Sequence, residues 1–206
     1  MSEATLHRRL ARFDRSPSLY ARADRVADAI GLPVEVAARL QSRDRFVDRL
    51  SRRLISQLDL GSCRDERIAA TDLALVLQPP DRLATLAPVL GALWHGAAIR
   101  RVIARDERQA LLGAIGAGLL GFVLDRPPVE RPGAGEQPAD LIDRIVPDGQ
   151  TAAAAWLDSL PAPFAGRLAL VLPALPAGTI SVDLPPHILT ALVREAAAWF
   201  GSRADG

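Results

Sequence analysis

An all-α fold, built as a compact multi-helix domain of short helices, follows from three features of the 206 residues. Apolar side chains recur at helical spacing through most of the chain. Proline, glycine and capping residues cut that pattern into short pieces. The bulk balance, 49% hydrophobic and 24% charged, supplies a core and a polar surface. No internal repeat of fixed period is present. One small β-hairpin near residues 167–184 is the single departure expected from an all-α chain. Residues 1–206 read as one helical domain, interrupted by a mobile Pro/Gly-rich loop at 125–138.

The elements follow in order. Ser16-Pro17 offers an N-cap followed by proline at the first helical position, and Gly31 stops that helix. Leu19, Val26, Ala27 and Ile30 share its inner face. A second helix begins at Pro33 and carries Val36, Ala37 and Leu40. A third keeps Phe46, Val47, Leu50, Leu54 and Leu58 on one stripe and ends at Gly61. The apolar run Ile68–Leu77 stops at Pro79-Pro80. Asp81 caps a helix through Leu83, Leu86, Val89, Leu90, Leu93 and Trp94, with Pro88 as a point of kinking. His95-Gly96 breaks it, and Ile99–Ile103 resumes the pattern. Asp106 caps the next helix, which carries Ala110, Leu111, Ile115, Leu119, Phe122 and Val123. Beyond the loop, two helical pieces are expected over Asp140–Val146 and Gly149–Leu160. Arg167–Leu172 fits either a helix or a strand, and Thr179–Leu184 alternates as a half-buried strand does. Pro185-Pro186 leads into a last helix with Ile188, Leu192, Val193, Ala196 and Trp199 inward.

Charge and cysteine content remove several function classes. Net charge is +1, so no global field draws nucleic acid or an anionic membrane. Every basic residue is arginine, which genome composition alone explains. Up to Arg67 there are 14 arginines against 10 acids, and beyond it 11 against 14, a mild asymmetry. The lone Cys63 excludes an intramolecular disulfide and suits a reducing compartment. Met1–Arg9 lacks the apolar core of a secretory signal. The longest apolar run, Leu111–Leu124, has 14 residues with four glycines, too few for a membrane span and suited to a buried helix. The expectation is a cytoplasmic protein without direct membrane insertion.

The motifs with chemical potential are sparse. Gly116-Ala117-Gly118-Leu119-Leu120-Gly121 has the spacing of a dinucleotide fingerprint, but the residues before it read as a capped helix where that motif needs a strand. Small residues for close helix packing explain it better. His7, His95 and His187 have no second histidine or cysteine at ligand spacing, so no metal or other cofactor is expected. His95, at a helix end, suits a residue whose ring N–H caps carbonyls. No serine stands in a nucleophile elbow, and Cys63 reads as a packed thiol. Asp65-Glu66 and Asp106-Glu107 fall at helix starts, where acids favour the dipole. Arg100-Arg101 with Arg105 and Arg108 form a basic patch, read first as a solvated helix face and alternatively as a surface to dock an acidic partner. Tryptophan is common both in cores and in interface hot spots. No catalytic residue emerges, and Trp94, His95, Arg100 and Arg101 are the candidates for partner binding. The competing readings are a nucleotide-binding enzyme using Gly116–Gly121 and a helical DNA-binding regulator using the basic first third.

The middle of the chain carries a resemblance. Leu73-Ala74-Leu75-Val76-Leu77 leads through a proline turn to Leu86-Ala87-Pro88-Val89-Leu90-Gly91-Ala92-Leu93-Trp94-His95. Ile99-Arg100-Arg101-Val102-Ile103 follows, then a helix ending Leu119-Leu120-Gly121-Phe122-Val123-Leu124. This order resembles the SctK/YscK/PscK proteins of bacterial type III secretion, including the rhizobial NolU type. The glycines at 116 and 118 depart from the more polar residues of that family's last helix. The resemblance implies a component of the sorting platform, peripheral to the inner-membrane base of the injectisome. It further implies an adaptor between the cytoplasmic domain of the ring protein SctD and the pod protein SctQ, without catalytic activity or cofactor.

Overall fold

The computed structural model describes residues 3–130, 140–173 and 184–203. Among them are a 3-10 turn at Pro17–Leu19, twelve α-helices and no strand. The first six helices are α1 (Glu3–Arg15), α2 (Ala23–Ile30), α3 (Val34–Gln41), α4 (Asp44–Gln57), α5 (Ala70–Val76) and α6 (Pro80–Leu83). The rest are α7 (Leu86–Trp94), α8 (Gly96–Ile99), α9 (Arg105–Asp125), α10 (Leu141–Ser159), α11 (Ala162–Ala169) and α12 (Pro186–Ser202). They assemble into two compact units, one from Met1–Ala84 and Leu160–Ala174, the other from Thr85–Ser159 and Leu175–Gly206.

In the first unit, Val26 and Ala27 of α2, Ala37 of α3, and Leu50 and Leu54 of α4 bury into one cluster with Leu60 and Leu170. Each valine or leucine side chain removed from water there stabilises the fold by about 1.5–3 kcal/mol. Gly31 closes α2 at φ 69°, the left-handed turn expected of it. The turn at Pro17–Leu19 is pinned to α4 by buried hydroxyls: Ser18 Oγ donates to the Val47 carbonyl at 3.0 Å and lies 2.8 Å from Ser51 Oγ. A large charged side chain, Arg167 of α11, is also buried, at 1% exposure. Its guanidinium donates to the carbonyls of Asp14, Gly61 and Pro163 and lies 3.1 Å from the Asp14 carboxylate. One side chain thus ties α1, the 60–62 segment and α11 together.

The second unit is organised around α7. Leu86, Val89, Leu90, Gly91, Ala92 and Leu93 are all buried, as befits a helix surrounded by others. It crosses α10 where two glycines meet. A Cβ on Gly91 would stand 1.7 Å from the Ile145 carbonyl oxygen, and one on Gly149 would stand 1.8 Å from that of Ala87. Only glycine at both positions lets the backbones touch. Ile188, Leu192, Val193, Ala196 and Trp199 of α12 are buried, as their periodicity predicts.

Several boundaries differ from expectation, each for a local reason. Arg167–Leu172 is not a strand: residues 167–169 complete α11, where Phe164 and Leu168 share one fully buried face, and a turn follows. The hairpin reading is therefore corrected, and its second strand at Thr179–Leu184 falls on residues 174–183, outside the described residues but for Leu184. The tip of the 125–138 loop likewise lies outside them, at 131–139. The helix expected over 16–31 divides, because Ser18 is held to α4 and the chain must turn before α2. Pro88 sits in the first turn of α7, where a missing N–H costs nothing, and leaves the helix intact. α10 runs unbroken through Pro147, with Ile145 before it and Gly149 after it buried against the same neighbour. Ile99–Ile103 is not helical beyond Ile99, and Ile103 stands 92% exposed. α1 has no counterpart in the sequence reading; Leu6, Leu10 and Phe13 give it a one-sided face masked by flanking arginines.

Candidate functional site

The segment from Trp94 to Arg108 lies within the second unit. His95 ends α7 and begins α8, with φ −92° and ψ 13°. Its ring turns inward and is 3% exposed. Nε2 lies 2.7 Å from Asp148 Oδ2 of α10, and Arg144 Nε lies 3.3 Å from the same oxygen. With Asp148 ionised, the ring N–H donates to its carboxylate, and Arg144 screens the outer side. This is a pin between two helices, one turn beyond the Gly91–Gly149 crossing. Its burial keeps the imidazole from any substrate in bulk water.

Arg100 is also put to internal use. Its two terminal nitrogens donate to the carbonyls of Val123 and Leu124, which are left open at the end of α9. Trp94 is half-buried, and Arg101 is exposed. Of the four expected contact residues, His95 and the Arg100 head group thus hold the unit together. Asp148 and Arg144 are missing from the sequence reading. Only the close approach of α7 and α10, through paired glycines 58 positions apart, could have pointed to them.

α9 departs furthest from an ordinary core helix. It has a mean hydropathy of 1.3 over its most apolar 18 residues, and by length and composition it could cross a membrane, yet 22% of that window is buried. Gly116 interrupts it at φ 78° and ψ 155°, a conformation open to glycine and strained for other residues. The helix is therefore two arms, 105–115 and 117–125, of about 16 and 13 Å at 1.5 Å per residue. Neither reaches the roughly 30 Å of a bilayer core. The second arm is anchored to α12: Phe122 meets Trp199 edge-on at 5.1 Å, and Arg126 just beyond pairs with Glu195 at 2.9 Å. Gly118 packs there too, since a Cβ would meet Trp199 and Arg203. The first arm buries Leu111 alone. Between the arms runs a groove of about 350 Å³, lined by Arg105, Arg108 and Leu112 on one side and Leu120, Gly121 and Leu124 on the other.

The glycines of this helix do not form a nucleotide cradle. They follow a helical arm, where a phosphate cradle needs a strand turning into a helix. Among the described residues no group of three or more His, Cys, Asp or Glu side chains is placed to hold a metal ion. Cys63 is buried in the first unit. Its backbone N–H donates to Asp14, and desolvation pushes its thiol up to about 12.

A family model described as YOP proteins translocation protein K (YscK) matches residues 13–197. The chain belongs to the YscK family. The match takes in most of both units, so the YscK chain is a protein of type III secretion across its length and not by one segment. No curated protein and no solved structure matches it. The resemblance seen at Leu73–Leu124 is thereby extended to nine-tenths of the YscK sequence, including the basic first third that carries none of the motif.

Proposed function

We propose that this YscK-family protein is a non-catalytic adaptor of the type III secretion sorting platform. It acts on the cytoplasmic side, peripheral to the inner-membrane base, and joins the cytoplasmic domain of the ring protein SctD to the pod protein SctQ. The observation that carries this reading is the family match over residues 13–197. Two further features support it. The polar groups best suited to chemistry, His95 with Asp148 and Arg167 with Asp14, are buried in ties between helices. The exposed basic and apolar side chains around Arg101 and Ile103 lie at one edge of the second unit.

The direct test is co-purification of the full chain with each protein in the absence of nucleotide. Retention of SctD or SctQ is expected; retention of neither sinks the adaptor reading. Arg101→Glu is the interface variant, read beside circular dichroism to separate contact from folding, because Arg100 caps α9 and Arg101 also has a partner within the chain. Weakened binding with unchanged helicity is the expected outcome.

A further inference from the structure

We infer that the bent groove of α9 is a docking site for an acidic amphipathic helix of a partner protein. The inference rests on the adaptor reading only for which protein supplies that helix. The groove face of the first arm is Arg105, Arg108, Gln109 and Leu112, and that of the second is Ala117, Leu120, Gly121 and Leu124. Each set falls at i, i+3, i+4 and i+7, so each is one continuous helical face. The bend at Gly116 turns the two faces toward a common hollow.

The chemistry of the hollow is graded. One end presents two guanidinium groups, while Asp106 and Glu107 lie around the helix from them and do not line it. The other end is apolar, with Ala117 and Gly121 forming a shallow notch between Leu120 and Leu124. Small residues four apart admit a helix closely; the buried Leu120 floors the notch and the half-buried Leu124 offers apolar contact at its rim. Arginine forks bind carboxylates in two-point fashion. The complementary surface is therefore a helix with an aliphatic face and carboxylates toward one end. A lipid surface fits poorly, because a flat interface cannot follow the hollow between the two arms.

Gly121 makes the inference testable without unfolding the unit. A Cβ there would meet nothing within 4 Å. A larger side chain fills the groove and, in a helix, also removes the conformational freedom that makes glycine unfavourable. The full chain, Gly121→Leu and Arg105→Glu/Arg108→Glu are titrated by calorimetry with the SctD cytoplasmic domain and with SctQ, and circular dichroism confirms retained helicity. The expected result is that one of these partners binds the parent chain and binds both variants at least tenfold more weakly. Unchanged binding by both variants overturns the groove and leaves the adaptor reading standing. Loss with Gly121→Leu alone overturns the acidic chemistry assigned to the occupant. Binding of neither protein by the parent chain removes both readings. Two parallel measurements cover the other occupants. Adsorption to phosphatidylglycerol vesicles that the charge reversal abolishes, or a dimer that Gly121→Leu dissociates, would give the groove to a membrane or to a second copy and overturn the proposal.

Discussion

At the scale of single residues, the fold depends on a few buried polar groups whose partners are far away in the chain. Arg167 is the clearest. Arg167→Met removes the buried guanidinium from the Asp14 carboxylate, leaving it the Cys63 N–H and Arg64, and takes a side-chain donor from the Asp14, Gly61 and Pro163 carbonyls. Breaking one side of a buried ion pair costs about 3–5 kcal/mol, so urea denaturation should show a loss of that size. Cys63 provides a pH signature. Its folded thiol is raised to about 12 by burial, whereas an unfolded thiol titrates near roughly 8.5. The unfolded chain therefore releases its proton first. The stability contributed by the neutral buried thiol is complete below pH ~8.5 and declines as pH rises toward 12. Tyr20, also raised by burial, adds the same trend only above its own ordinary range. Stability measured between pH 8 and 10 should fall in the parent chain and stay flatter in Cys63→Ala.

Elements show where glycine means opposite things. Gly91 lies against the Ile145 carbonyl, so Gly91→Ala forces α7 and α10 apart. Overpacking of this kind costs about 1–3 kcal/mol, outweighing the gain in helix propensity. At Gly121 nothing opposes a methyl group, and Gly121→Ala should stabilise by about 0.5–1 kcal/mol. Opposite shifts in Tm check the pair; shifts of the same sign would contradict the crossing described here. The difference between these glycines also marks the limit of what periodicity conveys. Gly31 and Pro185-Pro186 are local signals, and the helix ends they predict stand where expected. The five inward residues of α12 are equally legible, because a 3.6-residue stripe needs only one neighbour to bury it. Gly91, Gly116, Gly118 and Gly121 look alike in a sequence, yet one permits a crossing, one a bend, one a tryptophan contact and one an open notch. The crossing and the tryptophan contact belong to neighbours tens of residues distant. The His95–Asp148 pin, spanning 53 residues, and the Arg167–Asp14 tie, spanning 153, were hidden for the same reason. Arg167–Leu172 was ambiguous because its apolar run satisfies both periods, and the anchored Arg167 and the Phe164–Leu168 face decide for helix.

For the molecule as a whole, the two compact units each have their own core and their own buried arginine or histidine tie. The YscK family match runs through most of both. An adaptor must hold two proteins at once, a stricter demand than affinity for either. The decisive measurement is the mass, by light scattering behind size exclusion, of the species formed when the full chain is mixed with the SctD cytoplasmic domain and SctQ. The account predicts one peak containing all three proteins, which falls back to the separate components when this chain is omitted. A mixture in which SctD and SctQ never share a peak through this chain would contradict it.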